Sequence, residues 1–391
     1  MVKEEKDEGI ITDEALADLR SRIGVEWPLK PWNCVATKDA IWHFTEGLGD
    51  DNPLWRDEEY AARTRYGSII APPTFLYTCD SAGGGGGYGL PGVFALFAKD
   101  VWEWNQVVRA NDELDGMQRL VSADWKKGRF AGRMIDQVRE TFFFNQRQEI
   151  VAKRLTSSMR IERKRAREKS KEKATISKYR YTDEELAAIE RAYEREEEQR
   201  RGDNPRYWED VNIGDEVPGL VKGPLTVTSM VAWFMGFGSP LIKTDRIAYK
   251  YMRAHPRAKI MHPLTNVPDF SEAAHWDEDM ARKSGLPLGY DPGAQRISWF
   301  AHVMTDWIGD DGFLTRLEVQ LRKRNYVGDT TWCRGKVIGK REENGLFLVD
   351  CQLWGDSQRG YITTLAWATA ALPSRIHGAV VLKPPPMQQL R

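Results

Sequence analysis

Two short segments of the 391-residue chain carry side chains of the types that move protons. In "GDDNPLWRDEEYA" (49–61), Asp50 and Asn52 stand on a tight turn before an acidic helix start. In "HWDEDMARKSGLP" (275–287), His275 opens a similar acidic stretch. Carboxylates and imidazoles are the side chains that most often take and give protons in catalysis. General acid–base chemistry is therefore the first hypothesis.

The first segment follows a short apolar helix that recurs later in the chain. "AIWHFTEGLGD" (40–50) aligns with "SMVAWFMGFGS" (229–239), and both end in a Gly-x-Gly turn. The alignment places Asp50 on Ser239, so the second copy has a hydroxyl where the first has a carboxylate. An internal repeat of this kind predicts two similar structural units.

The second segment extends the repeat. "WRDEEYA" (55–61) aligns with "HWDEDMA" (275–281), which places Trp55 on His275. Each copy therefore lacks one member of an acid–base pair: the first has no histidine, and the second has no aspartate on its turn. The short step between the two elements becomes an insertion at 240–274 in the second copy, and the role of this insertion is left open.

Residues 160–201 separate the two copies and differ from both in composition. Lys and Arg dominate the first half of this segment, and Asp and Glu the second. Thr182 and Glu185 form a capping box, which predicts a helix running to about Arg201. We interpret the segment as a solvated helical connector; the alternative is that its basic half attracts a phosphate-bearing ligand or an acidic partner. The predicted units are a first domain at 1–159, a charged helical linker at 160–204 and a second domain at 205–391.

Each copy continues with a second helix and then with alternating strands. The helix segments are "APPTFLYTCDSAG" (71–83) and "DPGAQRISWFAHVMTDWIG" (291–309). In the latter, Ile297, Phe300 and Met304 share one face, which is typical of a buried helix. The tails that follow alternate apolar and polar residues and turn at Gly and Asn, as antiparallel strands do. Each half is thus predicted to be an α+β unit in which an antiparallel sheet wraps an apolar helix.

Composition excludes several classes of protein. Lys plus Arg and Asp plus Glu are equal at 57 each, so net charge gives no argument for nucleic acid or a membrane as partner. The four cysteines are far apart, which indicates neither a disulfide framework nor a zinc knuckle. His255 and His262 have no carboxylate at metal-ligand spacing, so no metal is expected. With no apolar signal core and no transmembrane stretch, a soluble cytoplasmic protein is expected.

On these motifs, both halves resemble the MaoC-like hydratase/dehydratase family of hot-dog folds. The family pattern is Gly-Asp, any residue, Asn-Pro, one residue, His, then an acidic helix and a small-residue turn into the central helix. With Trp55 in place of the histidine, the first half is most similar to the non-catalytic partner of two-subunit acyl dehydratases. The second half, with His275, is similar to the catalytic partner. The resemblance implies a double hot dog: two antiparallel sheets, joined edge to edge, each wrapping a central helix.

The resemblance also implies an activity. Family members add water to, or remove it from, the α,β double bond of an acyl thioester, and an Asp/His pair handles the protons. Backbone N–H groups at the start of the central helix stabilise the enolate-like oxygen. The expected function is that of an enoyl-thioester (acyl-CoA) hydratase/dehydratase, a hydro-lyase whose partner is a small-molecule acyl thioester. Coenzyme A is then part of the substrate, and no separate cofactor is expected.

The family's roles fall on definite residues of the second half. His275 is the catalytic candidate, with Asp291 and Asp269 as equal candidates for its carboxylate partner; Glu272, three residues before it, is also near in sequence. The residues expected to bind the substrate are Gly293, Ala294, Trp276, Arg322 and Arg324.

In the first half, Asp50, Asn52 and Trp55 are interpreted as a vestigial site, since Pro73 also removes a backbone donor. Two other functions stay open: a hot-dog acyl-CoA thioesterase, and a protein that binds acyl thioesters without catalysis. The sequence fixes neither the acyl group nor the direction of the reaction, and a homo-oligomer of double hot dogs is left open.

Overall fold

The computed structural model describes residues 10–80, 90, 93–128, 132–162, 176–239 and 241–382. Its helices are α1 (Asp13–Arg20), α2 (Lys38–Leu48), α3 (Pro53–Arg56), α4 (Glu58–Arg63), α5 (Asp183–Gln199), α6 (Val227–Phe237), α7 (Asp245–Ala254), α8 (Glu278–Lys283) and α9 (Gly293–Ile308). Its strands are β1 (Glu26–Pro28), β2 (Phe94–Trp104), β3 (Leu114–Gly128), β4 (Gly132–Asn145), β5 (Ile150–Ile161), β6 (Glu216–Lys222), β7 (Ile260–Met261), β8 (Pro268–Asp269), β9 (Phe313–Leu321), β10 (Thr331–Glu343), β11 (Leu346–Ser357) and β12 (Ile362–Ala371). As predicted, each half has its helices before its long strands.

One ten-stranded antiparallel sheet spans both halves. Its strand order is β1-β3-β4-β5-β2-β9-β12-β11-β10-β6. The halves meet where β2 pairs with β9, from Lys99 opposite Gln320 to Glu103 opposite Arg316. Because an unpaired strand edge exposes backbone donors and acceptors, this pairing satisfies both inner edges at once. The predicted edge-to-edge joining of two hot-dog sheets is confirmed.

The central helix of the second half is α9. Every residue from Ala294 to Ile308 is buried, and the helix packs against β6, β9, β10 and β12. The corresponding segment of the first half is a shorter 3₁₀ helix, Pro73–Cys79, with buried residues from Thr74 onward. The two halves therefore share an architecture but have central helices of different kinds.

Helices α2 and α6 cross at the repeated glycines. A Cβ on Gly47 would lie 2.6 Å from the Ala232 carbonyl oxygen, and a Cβ on Gly236 would lie 2.1 Å from that of His43. Either side chain would collide with the backbone of the other helix, so both positions require glycine. The two glycines that align in the repeat thus hold its two copies in contact.

The capping box of the linker is confirmed. The Thr182 hydroxyl accepts from the Glu185 amide, and the Glu185 carboxylate accepts from the Thr182 amide, at the start of α5. Strand β5 runs to Ile161, so the first half's part of the sheet extends past the predicted domain boundary at residue 159. Most of α5 is exposed, but Ile189 is buried, and the last turn approaches the second half's central helix. No helix among the described residues is long and apolar enough to cross a membrane.

Candidate active site

His275 is fixed against the turn that leads into α9. It ends a 3₁₀ helix, Ser271–His275, and its Nδ1 lies 2.7 Å from the carbonyl oxygen of Tyr290. A carbonyl can only accept, so Nδ1 carries the proton and Nε2 has the free lone pair. The imidazole also packs on the Tyr290 ring, with 4.3 Å between centroids. The side chain is therefore oriented with Nε2 as its basic nitrogen.

The surroundings of His275 keep its imidazole neutral. Burial lowers its pKa below the ordinary value of 6.5, and the Arg324 guanidinium acts in the same direction. The Tyr290 carbonyl and the Asp291 carboxylate oppose the shift without reversing it. A neutral imidazole at pH 7 is the form in which histidine accepts a proton.

Glu272 shares a face with His275. Side chains three residues apart eclipse one another in a 3₁₀ helix, and both residues lie in Ser271–His275. Burial raises the pKa of Glu272 above its ordinary value of 4.5, partly offset by the Ser271 hydroxyl, which donates to its Oε2 at 2.9 Å. The same carboxylate interacts electrostatically with Tyr290, against which His275 packs. These relations place a half-buried carboxylate on the His275 side of the site.

Asp291 is bound on both of its oxygens. Arg296 donates to it through Nε, at 2.6 Å, and through Nη2 in a bidentate pair. Asn325 adds its side-chain amide at 3.2 Å and its backbone amide at 3.3 Å. With its acceptor sites filled, this buried carboxylate ties the turn before α9 to the loop after β9.

Asp269 lies in β8, and its Oδ1 accepts from the backbone amide of Phe270 at 2.7 Å. This bond is local, and the Ser271–His275 helix that follows has no side-chain cap.

The N-terminus of α9 has no side-chain cap, and Pro292 precedes its first residue. The first N–H groups of a helix have no intrahelical partner, so those near Gly293 and Ala294 can donate to a ligand oxygen. A Cβ on Gly293 would lie 2.5 Å from Phe97 Cδ1 and 3.1 Å from Leu321 Cδ1. The Phe97 ring from the first half thus covers the backbone at Gly293, and a side chain at this position would have to displace that ring.

The predicted substrate-binding side chains separate into two groups. The Arg324 guanidinium lies 5.4 Å from the centroid of Tyr290, beside His275. Trp276 packs edge-on against Phe234, with 5.4 Å between centroids, next to the same histidine. Arg322 is exposed, and its backbone amide donates to the Thr363 carbonyl. Trp276 and Arg324 thus belong to the surroundings of His275, whereas the Arg322 side chain lies on the surface.

In the first half, Trp55 occupies the place of the histidine. Its indole Nε1 donates to Asp50 Oδ2 at 3.0 Å, and the backbone amide of Asn52 donates to Asp50 Oδ1 at 3.1 Å. Asn52 Oδ1 in turn caps α3 by accepting from the Leu54 amide. Asp50 is only 1% exposed, so its carboxylate acts as the centre of a buried turn.

A second histidine, His302 on α9, reaches Asp50 from the other half. Its Nε2 lies 3.4 Å from Asp50 Oδ1, 3.3 Å from Asp306 Oδ2 and 3.6 Å from Glu196 Oε1. Lys222 Nζ lies 2.9 Å from Nδ1. Sequence reasoning assigned none of these residues except Asp50; a usable signal was the four-residue spacing of His302 and Asp306, which places both on one face of a buried helix.

This cluster is a buried ionic network and a poor metal site. The Lys222 ammonium can only donate, so His302 Nδ1 accepts and Nε2 carries the hydrogen that a metal would have to displace. Burial lowers the pKa of His302 to about 4 and raises that of Asp306 to about 6. Arg200, just beyond α5, donates to Asp306 at 3.2 Å. The end of the linker is therefore packed into the protein at this point, unlike a fully solvated connector.

A second cluster of possible metal ligands, from the insertion and the start of α8, is also a poor metal site. His262, Asp277 and Asp279 lie close enough to share an ion. However, His262 Nδ1 accepts from the amides of Leu264 and Thr265, so its Nε2, 3.5 Å from Asp277, carries the proton.

Comparisons with known proteins agree with the fold. Residues 21–154 match a family model described as the FAS1-like dehydratase domain region. A solved MaoC-like dehydratase superimposes with a TM-score of 0.64 at 20% identity, covering 90% of this chain and 98% of that one. A MaoC domain dehydratase of Chloroflexus aurantiacus gives 0.55 at 12% identity over 90% and 96% of the two chains. A Mycobacterium tuberculosis protein described as having a double hot-dog fold gives 0.53 at 11% identity over 90% and 96%.

Matches to curated sequences are short. A protein of Streptomyces avermitilis, described as UPF0336, is 42% identical over 40 residues, which are 10% of this chain. One of Parafrankia is 44% identical over 41 residues. The chain spans about a quarter of the length of these curated relatives, 27% in each case. The resemblance to MaoC-like dehydratases is confirmed, and the chain has their double hot-dog fold.

Proposed function

We propose that this protein is a hydro-lyase that adds water to, or removes it from, the α,β double bond of an acyl-CoA thioester, at a site in its second half. One observation carries the proposal: the His275 imidazole is anchored to Tyr290, three residues before α9 begins. The imidazole therefore contacts the same turn that leads into the uncapped amides of the helix start. Hydration of an enoyl thioester requires both a base for water and donors for the thioester oxygen.

In the proposed hydration, His275 carries one proton from water to the α-carbon. Water loses a proton to His275 Nε2 as its oxygen bonds to the β-carbon. The double-bond electrons move toward the thioester oxygen, which accepts from amides near Gly293 and Ala294. The imidazolium then returns the proton to the α-carbon, and the carbonyl re-forms. Dehydration is the same sequence in reverse.

Glu272 is the carboxylate partner in this proposal. An ionised carboxylate on the His275 face can accept the second hydrogen of the water and so orient its oxygen. Asp291 is less suited, because Arg296 and Asn325 occupy both of its oxygens. Its proposed role is to hold the turn that carries Tyr290 and Gly293 in place.

Coenzyme A is the proposed carrier of the acyl group. Arg324 lies beside His275, and Arg322, two residues earlier, is exposed on the same segment. A thioester that enters from the surface would place its acyl end near Arg324 and the phosphates of coenzyme A near Arg322, where the guanidinium can bind them. Phe97 must move aside for the thioester to reach Gly293, because its ring covers that backbone.

The test is hydration of crotonyl-CoA, followed by loss of the enoyl-thioester absorbance. His275→Gln should lower turnover by about 10²–10⁴, the usual contribution of a positioned acid–base group. His255→Gln is the matched control: His255 is exposed and its Nδ1 also bonds a backbone carbonyl, that of Tyr251. Equal losses in both variants, or full activity in His275→Gln, would contradict the proposal. Release of free coenzyme A thiol by the wild type would indicate a thioesterase instead.

A further inference from the structure

A pocket formed mainly by the first half, with one wall from the second, is lined by no residue proposed for hydration. It lies where the loop after α2 and the start of the 3₁₀ helix Pro73–Cys79 meet the end of α9 and the start of β9. Its empty volume is about 560 Å³, with open solvent at its mouth included. The walls are largely apolar and aromatic, and include Leu54, Trp55, Ile70, Trp104, Val108 and Phe313. We call it the first-half pocket.

Two hydrogen-bond donors on its wall have no acceptor among the described residues. Asn52 is 2% exposed, and its Oδ1 already accepts from the Leu54 amide at 3.0 Å. That bond fixes the orientation of the amide group, and its Nδ2 makes no hydrogen bond to the part of the chain that the structure describes. The Tyr66 hydroxyl likewise has no partner there, and burial raises its pKa to about 12, so it keeps its proton. Both donors belong to residues that line the pocket, so the pocket favours a ligand that brings an acceptor.

The charge on the wall limits that ligand. Asp310 lines the pocket, and its Oδ2 accepts from the Tyr60 hydroxyl at 2.6 Å. No Lys, Arg or His is among the lining residues, so a carboxylate or phosphate would enter an apolar space beside Asp310 without a counter-charge. A cation would face the unpaired donors of Asn52 and Tyr66. An uncharged ligand avoids both the burial of an unpaired anion and the placing of a cation against hydrogen-bond donors.

We propose that the first-half pocket binds an uncharged carbonyl compound with an apolar body, such as an acyl group in amide or thioester linkage, whose carbonyl oxygen accepts from Asn52 Nδ2. The compound is held without being transformed, because the Trp55 indole and the backbone amide of Asn52 already donate to the two oxygens of the Asp50 carboxylate. The asparagine of the motif thus takes over the use of the site after the histidine is lost. This inference does not depend on hydration at His275.

Calorimetric titration with benzamide and benzoate, an isosteric neutral and anionic pair, tests the proposal at pH 8. Benzamide should bind saturably, and benzoate at least tenfold more weakly. Asn52→Asp keeps an oxygen to cap Leu54 but removes the donors, so it should weaken benzamide binding about tenfold or more. Because it also buries a carboxylate close to Asp50, circular dichroism at the titration temperature must show that the variant is folded. Asn266→Asp, the same change at an exposed position, should leave binding unchanged.

A second variant guards against an indirect effect. Val108→Phe adds bulk to a wall residue that is 5% exposed, and it should also abolish benzamide binding. His275→Gln should bind benzamide like the wild type, which separates this pocket from the proposed catalytic site. Undetectable benzamide binding, equal affinity for benzoate, or unchanged affinity in Asn52→Asp would each overturn the proposal.

Discussion

The crossing of α2 and α6 makes Gly236→Ala a sensitive test of how the two halves meet. The new Cβ would lie 2.1 Å from the His43 carbonyl oxygen and 2.7 Å from Phe44 Cα. Ordinary carbon–oxygen contacts begin near 3.3 Å, so the helices must part by about 1 Å. Overpacking of this kind costs about 1–3 kcal/mol, and a gap of that size forfeits part of the dispersion between neighbours such as Phe44 and Trp233.

Helix propensity acts in the opposite direction but is smaller. Replacing glycine by alanine inside a helix contributes about 1 kcal/mol of stability. The net expectation is a free energy of unfolding lower by about 1–2 kcal/mol, which corresponds to a melting temperature lower by about 1–3 °C for a chain of this length. The assay is thermal unfolding followed by circular dichroism, with urea unfolding as an independent measure.

Gly339→Ala is the matched control, because Gly339 lies in β10 with a negative φ, and a Cβ there would meet nothing closer than 3.4 Å. That variant should stay within about 0.5 kcal/mol of the wild type. If Gly236→Ala melts like the wild type or higher, the close backbone contact between the two copies does not exist, and the reasoning from the aligned glycines is wrong.

Three further outcomes are expected. Glu272→Gln should lower turnover on crotonyl-CoA at least tenfold with little change in KM, because it replaces the charged acceptor of the water hydrogen by a neutral amide; an unchanged kcat would exclude this role. Asp50→Asn should leave turnover within a few-fold of the wild type but lower the free energy of unfolding by about 1–3 kcal/mol, since the buried Trp55 indole loses a charged acceptor; complete loss of activity in a folded protein would move the catalytic centre to the first half. His302 has a pKa of about 4 in the folded protein against 6.5 ordinarily, so its contribution to stability is present above pH 6.5 and lost as pH falls toward 4. The difference in melting temperature between wild type and His302→Gln should therefore widen as pH rises from 4 to 6.5, and a constant difference would refute the assignment.

The internal repeat was accessible from the sequence because it depends on local rules. The Gly-x-Gly ends of α2 and α6, the capping box at Thr182 and the apolar face of α9 follow from spacing alone. Alternation in the tails predicted antiparallel strands, and the motif around Asp50 predicted the hot-dog fold. These features fix which segments form elements and that the elements occur twice.

The use of individual charged residues was not accessible in the same way. Asp291 was as good a partner for His275 as Asp269 from the sequence, but Arg296, one turn further on, and Asn325, from a distant loop, bind both of its oxygens. The pairing of Asp50 with His302 joins residues 252 positions apart, and a repeat alignment cannot show it because it runs between the copies.

Sequence by itself thus determined the fold class and the two copies, and it predicted His275 as the candidate base. Tertiary structure decided which polar groups are free to act. The physical reason is that a carboxylate or imidazole acquires its role from the donors, acceptors and burial around it. Around His275 those neighbours come from the turn before α9, the segment after β9 and the Ser271–His275 helix, and only folding brings them together.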